Sequence, residues 1–404
     1  MKSVGVIVLV LFVLRVSNGN AQSPSQNPST SQDHFDIQLL RTFDEKKNYF
    51  ISPASIKVSL AMLLEGAKHQ TAQEIMTALG LSSSSVKDEL QLLLEDLNAS
   101  TNATTVQSAN GVFISNTSAV NQQYQQILQK DYSADIRHLD YADSIGSSNL
   151  INNWVKNRSN GKIENIVSPD SFSAGTGLIL ANALYFKGLW KTVFEERSTF
   201  LRCFRNHRKD CINARMMQTD GKFNYKSIAA LDAQALQLQY GDGEYAMLIL
   251  LPNQAQTVDG LIKAMQSYSF SSITSQLKSD EVFVNIPRFE VDFNADISSL
   301  LQHVGITQVF SDNADLSGIT QDEKLKVSQV VHKAKVEVNE KGTVASATTV
   351  ANISPLIGGS KPRFIVDHPF LFFIYQVESN NILFEGRFNE PPDAYDEIFK
   401  KPTS

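Results

Sequence analysis

The sequence predicts an α+β fold, with helices gathered early and strands dominating the rest. Two observations carry this. Apolar residues recur at helical spacing in the early chain, at Phe35, Leu39, Leu40 and Phe43 and again at Ile56, Leu60, Leu63 and Leu64. Farther on, strand patterns take over: the apolar runs Ala246 to Leu251 and Pro369 to Val377, the alternating Val282 to Phe293, and Val327 to Val338, which mixes both styles. No internal repeat and no linker interrupts residues 33–392, so one domain is expected there.

Taken in order, Lys2, the apolar run Val4 to Leu14 and the small residues ending at Ala21 describe a secretory signal peptide over residues 1–21. Residues 22–32, rich in Ser, Pro, Gln and Asn, read as a flexible leader, and the helical pattern begins at Asp33. Ser52-Pro53 is a helix start, a hydroxyl for the cap and a proline in the first turn. Thr71 to Leu79 and Val86 to Leu97 give two more helices, parted by a turn at Ser82 to Ser85. Gly241-Asp242-Gly243 marks a hairpin before Ala246. Residues 393–404 form a polar tail.

The net charge of −6 argues against nucleic acid as a partner. No second apolar stretch is long enough to anchor the chain in a membrane, so a secreted, extracellular monomer is expected. Glycosylation sequons at Asn98, Asn102, Asn116, Asn157 and Asn352 fit that destination. Cys203 and Cys211 match no zinc spacing. They read either as one bridge across a short hairpin loop, preferred in an oxidising compartment, or as two free thiols. Around them Arg202, Arg205, Arg208 and Lys209 make a basic cluster. On pattern alone a solvated loop outweighs a weak contact with a polyanion or acidic surface.

No nucleophile elbow, zinc helix or phosphate loop is present, and no cofactor or metal is implied. His332 and His368 sit in apolar strand contexts and read as hydrogen-bonded core histidines. Asp367 and His368, as strand neighbours, are expected to face opposite sides. An enzyme is not indicated. Residues 340–357 stand apart. Small and β-branched residues alternate from Thr343 as in a packed strand, while Asn352, Ser354, Pro355 and Gly358-Gly359-Ser360 belong to an exposed loop.

With these pieces in place the chain resembles the serpin family over nearly all of 33–392. The matches are Phe50-Ile51-Ser52-Pro53-Ala54-Ser55-Ile56, Gly66-Ala67 with Thr71 and Glu74-Ile75, Asn182-Ala183-Leu184-Tyr185-Phe186-Lys187-Gly188-Leu189-Trp190 and Met216-Met217. Ala314-Asp315-Leu316-Ser317-Gly318, His332-Lys333-Ala334, Glu340-Lys341-Gly342-Thr343 and Phe364 to Phe372 complete the set in family order. The resemblance implies three β-sheets, eight or nine helices and an exposed reactive-centre loop. It also implies that Ser52, Ser55, Asn182 and His332 form a polar cluster that lets the main sheet open, with Trp190 at the top where the loop goes in.

The family mechanism, an established strained-loop switch, is cleavage of the loop by a protease followed by its insertion as a new strand. Glu340, Gly342, Thr343, Ala345, Ser346, Ala347 and Thr348 match the inhibitory hinge pattern, being small where a strand must slide in. The family spacing sets the reactive bond between Leu356 and Ile357. Leu356 suits an apolar primary pocket, so chymotrypsin-like or elastase-like serine proteases are the expected targets, trapped covalently. The alternatives are a non-inhibitory carrier of the same fold and a cross-class inhibitor of papain-like cysteine proteases.

Overall fold

The structure, a computed structural model, describes residues 31–43, 46–81, 86–173, 175–321, 324–342 and 361–392. Helix α1 (Ser31–Arg41) and the short strand β1 (Tyr49–Ile51) lead into α2 (Pro53–Gly66), α3 (His69–Leu79) and α4 (Val86–Asn98). Then follow β2 (Thr104–Ser115), α5 (Gln122–Asp131), β3 (Asp135–Leu139), α6 (Ser144–Arg158) and β4 (Leu178–Gly188). The strands β5 (Thr199–Arg205), β6 (Cys211–Ile228), β7 (Ala233–Gln239) and β8 (Tyr245–Pro252) come next, before α7 (Val258–Met265) and α8 (Phe270–Thr274). The chain ends with β9 (Lys278–Pro287), β10 (Phe289–Asp296), α9 (Ser298–His303), β11 (Val327–Val338), β12 (Arg363–Ile365), β13 (Phe370–Gln376) and β14 (Ile382–Phe388).

The main sheet has the order β10-β11-β4-β2-β3. At its centre β11 and β4 run parallel, in register from Val327 opposite Leu178 to Lys335 opposite Tyr185. Both outer neighbours of that pair, β10 and β2, are antiparallel to it. The second array has nine strands, β1-β14-β13-β8-β7-β6-β9-β12 with β5 on β6. It is two sheets fused through β6. The early part of that strand pairs with β5 and β9, and its last residues, Asn224 to Ile228, pair with β7. The three expected sheets are therefore present as one free and two joined.

Helix α2 lies against β14 and β4 and is apolar on nearly every side, as a helix enclosed by other elements must be. Strands β8 and β13 are buried along almost their whole length, as continuous apolar runs require. Two boundaries differ from expectation. Val282 to Phe293, read as one alternating run, is split at Pro287: β9 belongs to the fused array and β10 to the main sheet. Proline has no N–H to give a ladder, so the strand ends there. Helix α1 begins at Ser31, inside the stretch read as leader. The expectations for the signal peptide, the rest of the leader, the loop from Thr343 and the polar tail lie outside the described residues.

Candidate functional site: the seam of the main sheet

The seam between β4 and β11 carries a polar row in an otherwise apolar sheet. Asn110 on β2, Asn182 on β4 and His332 on β11 stand directly opposite one another. Beneath them sits the start of α2, where Ser52 caps the helix by accepting from the Ser55 N–H at 3.0 Å. Ser52, Ser55, Asn182 and His332 are all completely buried. The four residues that the resemblance grouped are thus brought together.

Their hydrogen bonds close a network. The Ser52 N–H donates to His332 Nε2 at 3.0 Å, so that nitrogen is bare and the ring proton resides on Nδ1. Nδ1 then donates to Asn182 Oδ1 at 2.7 Å. The same oxygen accepts from Ser55 Oγ at 2.6 Å, while Asn182 Nδ2 donates to Ser55 O at 3.1 Å and to Asn110 Oδ1 at 2.5 Å. Burial pushes the imidazole down to about 3, because nothing nearby offsets the loss of water around a cation. His332 is neutral at physiological pH. A buried network of this kind is stabilising only while every member is satisfied.

Above Lys335 and Tyr185 the two strands stop pairing with each other, although both continue. Trp190 occupies this end. Its ring stacks on Tyr240, centroids 4.5 Å apart, and its Nε1 donates to Asn339 O at 2.9 Å. Its backbone N–H donates to Lys341 O at 3.2 Å. Asn339 and Gly342 exchange backbone hydrogen bonds, and Gly342 bridges to Leu189. Gly342 has φ of 105°, and a Cβ there would fall 2.6 Å from Trp190 N and 2.7 Å from Leu189 Cα. Only glycine fits. Glu340 is buried and accepts from Thr199 Oγ1 at 2.8 Å, with its carbonyl taking the Phe194 N–H at 2.9 Å. The base of the loop is pinned to the end of β4.

Of the remaining hinge residues, Thr343, Ala345, Ser346, Ala347 and Thr348 lie outside the described residues, as do Leu356, Ile357 and Asn352. Cys203 and Cys211 are joined across the β5–β6 hairpin, Cα atoms 5.2 Å apart. Arg202, Arg205, Arg208 and Lys209 are exposed around it. Asn98, Asn102, Asn116 and Asn157 are exposed as well.

One expectation is corrected. Asp367 and His368 do not face apart: Asp367 Oδ1 lies 2.9 Å from His368 Nδ1, while His368 Nε2 meets Pro252 O at 2.8 Å. Strand β12 ends at Ile365, so strand alternation no longer governs these side chains. Burial opposes charge on His368, but the Asp367 carboxylate and the Pro252 carbonyl outweigh it and hold the imidazole above its ordinary value. Sequence reading also missed Asn110, Asn339 and Tyr240. The one local signal for Asn110 is an amide side chain two residues before the apolar run Val112 to Ile114.

The site is thus a five-stranded main sheet with a parallel central seam, a polar row across it and Gly342 pinned beside its end. A family profile described as serpin (serine protease inhibitor) matches residues 30–391. Iripin-2 of Ixodes ricinus is 36% identical over 369 residues, 89% of this chain and 92% of that protein. Among solved structures, Serpin48 of the insect Tenebrio molitor superposes with a TM-score of 0.79 at 29% identity, over 90% of this chain and 97% of its own. Human thyroxine-binding globulin complexed with thyroxine gives 0.81 at 26%, over 90% and 98%. The chain belongs to the serpin family.

Proposed function

We propose that this serpin is a secreted suicide-substrate inhibitor of chymotrypsin-like or elastase-like serine proteases. The observation that carries the reading is the seam. The chain leaves β11 and is pinned at Gly342 beside the end of β4, next to the gap between two strands that run parallel to each other. A segment returning there is antiparallel to both neighbours, replacing one slanted parallel ladder by two antiparallel ones. Fold alone does not choose between inhibitor and carrier, since a thyroxine-bound neighbour shares it. Hinge composition favours the inhibitor: Thr343, Ala345, Ser346, Ala347 and Thr348 are all small, and no proline precedes Pro355 in the loop.

In the proposed sequence, the protease serine oxygen attacks the Leu356 carbonyl carbon, the bond to the Ile357 nitrogen breaks, and that amine leaves with a proton from the protease histidine. The Leu356 acyl group stays on the serine as an ester. Insertion of residues 343–356 then moves it about 46 Å at strand rise, before water can hydrolyse it. Secretion is supported by the apolar run Val4 to Leu14, the exposed sequon asparagines and the Cys203–Cys211 bridge.

Incubation with chymotrypsin, pancreatic elastase, trypsin and a cathepsin, followed by denaturing electrophoresis, tests this. A denaturation-resistant complex with chymotrypsin or elastase is expected, with cleavage after Leu356. Clean cleavage with no complex and no gain in thermal stability leaves the carrier reading in its place.

A further inference from the structure

The β5-β6-β9-β12 sheet lies in the array separate from the main-sheet seam. A hollow of about 440 Å³ crosses all four strands. Phe283 and Ile365, both half-buried, contribute apolar surface to it, and three exposed arginines stand around it. Arg205 shares Asp367 at 3.3 Å, and the Arg363 guanidinium lies 4.9 Å from the centre of the Phe283 ring. The Arg202 side chain, on β5 opposite Ala214, has no ion pair or hydrogen bond among the described residues. On a chain of net charge −6 this is a local excess of positive charge. It is also held in shape. The disulfide ties β5 to β6, and the Arg205 N–H donates to Asp367 O at 2.7 Å, fixing β5 to the segment after β12.

Its position matters. Strand β12 begins at Arg363, a few residues beyond Ile357, so the hollow lies within roughly 20 Å of chain from the reactive bond. A protease domain of about 230 residues has a radius of gyration near 17 Å. Its body overhangs the hollow once the loop is in its cleft.

We propose that this face is a docking surface for an acidic patch beside the active-site cleft of the target protease. The inference rests on Leu356–Ile357 being the reactive bond. A protein surface fits better than a polysaccharide because the cations surround apolar ground. They are also all arginines, which pair flat with carboxylates and pack on rings. Charges at such a rim act on the rate of encounter more than on the lifetime of the complex.

Two chymotrypsin-fold proteases of apolar primary specificity serve as probes, one of acidic and one of basic net charge, each with its nucleophilic serine replaced by alanine. Association rates with the full chain are measured by surface plasmon resonance at about 50 and 300 mM NaCl. The acidic probe is expected to associate about tenfold more slowly at the higher salt. Arg202→Glu with Arg363→Glu lowers its rate about tenfold at low salt, without changing the unfolding temperature or slowing the basic probe. Arg202→Ala alone, which breaks no ion pair, is expected to lower it about threefold and guards against misfolding of the double variant. An unchanged rate for the acidic probe with both variants overturns the proposal. So does a surface that binds sulfated dextran through these arginines while remaining indifferent to the charge of the protease. Electrophoresis with the active proteases reads trapping separately. Absence of a covalent band overturns the inhibitor reading, while the alanine probes still report docking.

Discussion

His332 acts in the seam as a neutral side chain, accepting on one nitrogen and donating on the other. Its folded value of about 3 lies below the ordinary 6.5, so the unfolded chain takes up a proton that the native chain refuses. The stability this contributes is present above 6.5 and is lost as pH falls toward the folded value. His332→Gln is expected to flatten the decline in urea midpoint between about pH 6.5 and 4, at some loss of stability near neutrality. Gly342 makes a second test at this scale. Gly342→Ala forces a Cβ against Leu189 and Trp190 at a left-handed φ and should destabilise the protein by about 1–3 kcal/mol in equilibrium unfolding. The cap was legible in the sequence because Ser52-Pro53 acts on its own neighbours. Asn110 was not. Its importance depends on β2 being placed beside β4, which no local pattern encodes.

Between elements, the most consequential contact outside the seam joins α1, α2 and β14. Lys57 on α2 is paired with Asp36 on α1 at 2.7 Å, both nearly inaccessible. Glu385 on β14 is completely buried, with neither carboxylate oxygen hydrogen-bonded among the described residues. Burial, reinforced by the Asp36 charge and only partly countered by Lys57, holds its carboxyl well above the usual range. A raised folded value means that its contribution is fully present below the unfolded value near 4.5. That contribution is lost as pH rises through the folded one. Glu385→Leu, which removes the buried acid, is expected to stabilise the protein by about 1–4 kcal/mol above pH 7 and to flatten its thermal midpoint from about pH 5 to 9. Helices α1 to α4 and strands β8 and β13 were legible because each has a single dominant period or an unbroken apolar run, whereas β11 mixes both patterns. Helix α6 has its apolar residues scattered among Ser and Asn, so its burial is decided by the sheet it covers.

For the whole molecule, the native arrangement holds a five-stranded main sheet whose centre is the parallel β4–β11 pair. Filling that seam with residues 343–356 adds on the order of ten net backbone hydrogen bonds at about 1 kcal/mol each. At roughly 1.3 °C per kcal/mol for a domain of about 360 residues, cleavage at Leu356 should raise the unfolding temperature by about 13 °C. Differential scanning calorimetry of intact and cleaved protein checks this, and an unchanged midpoint argues against insertion. Whole-molecule topology was the level most legible from resemblance and least legible from pattern. The fusion of two sheets through β6 depends on a strand of 18 residues whose two ends serve different partners.

The start of α2 serves two masters. Its Ser52 N–H is committed to His332 on β11, and one turn later Ser55 is committed to Asn182 on β4. Were β4 and β11 to part, the helix could not keep both. It would have to abandon one strand or stretch between them, which makes α2 a gauge of strain across the sheet. In that case the serine that let go first would decide which strand kept the helix.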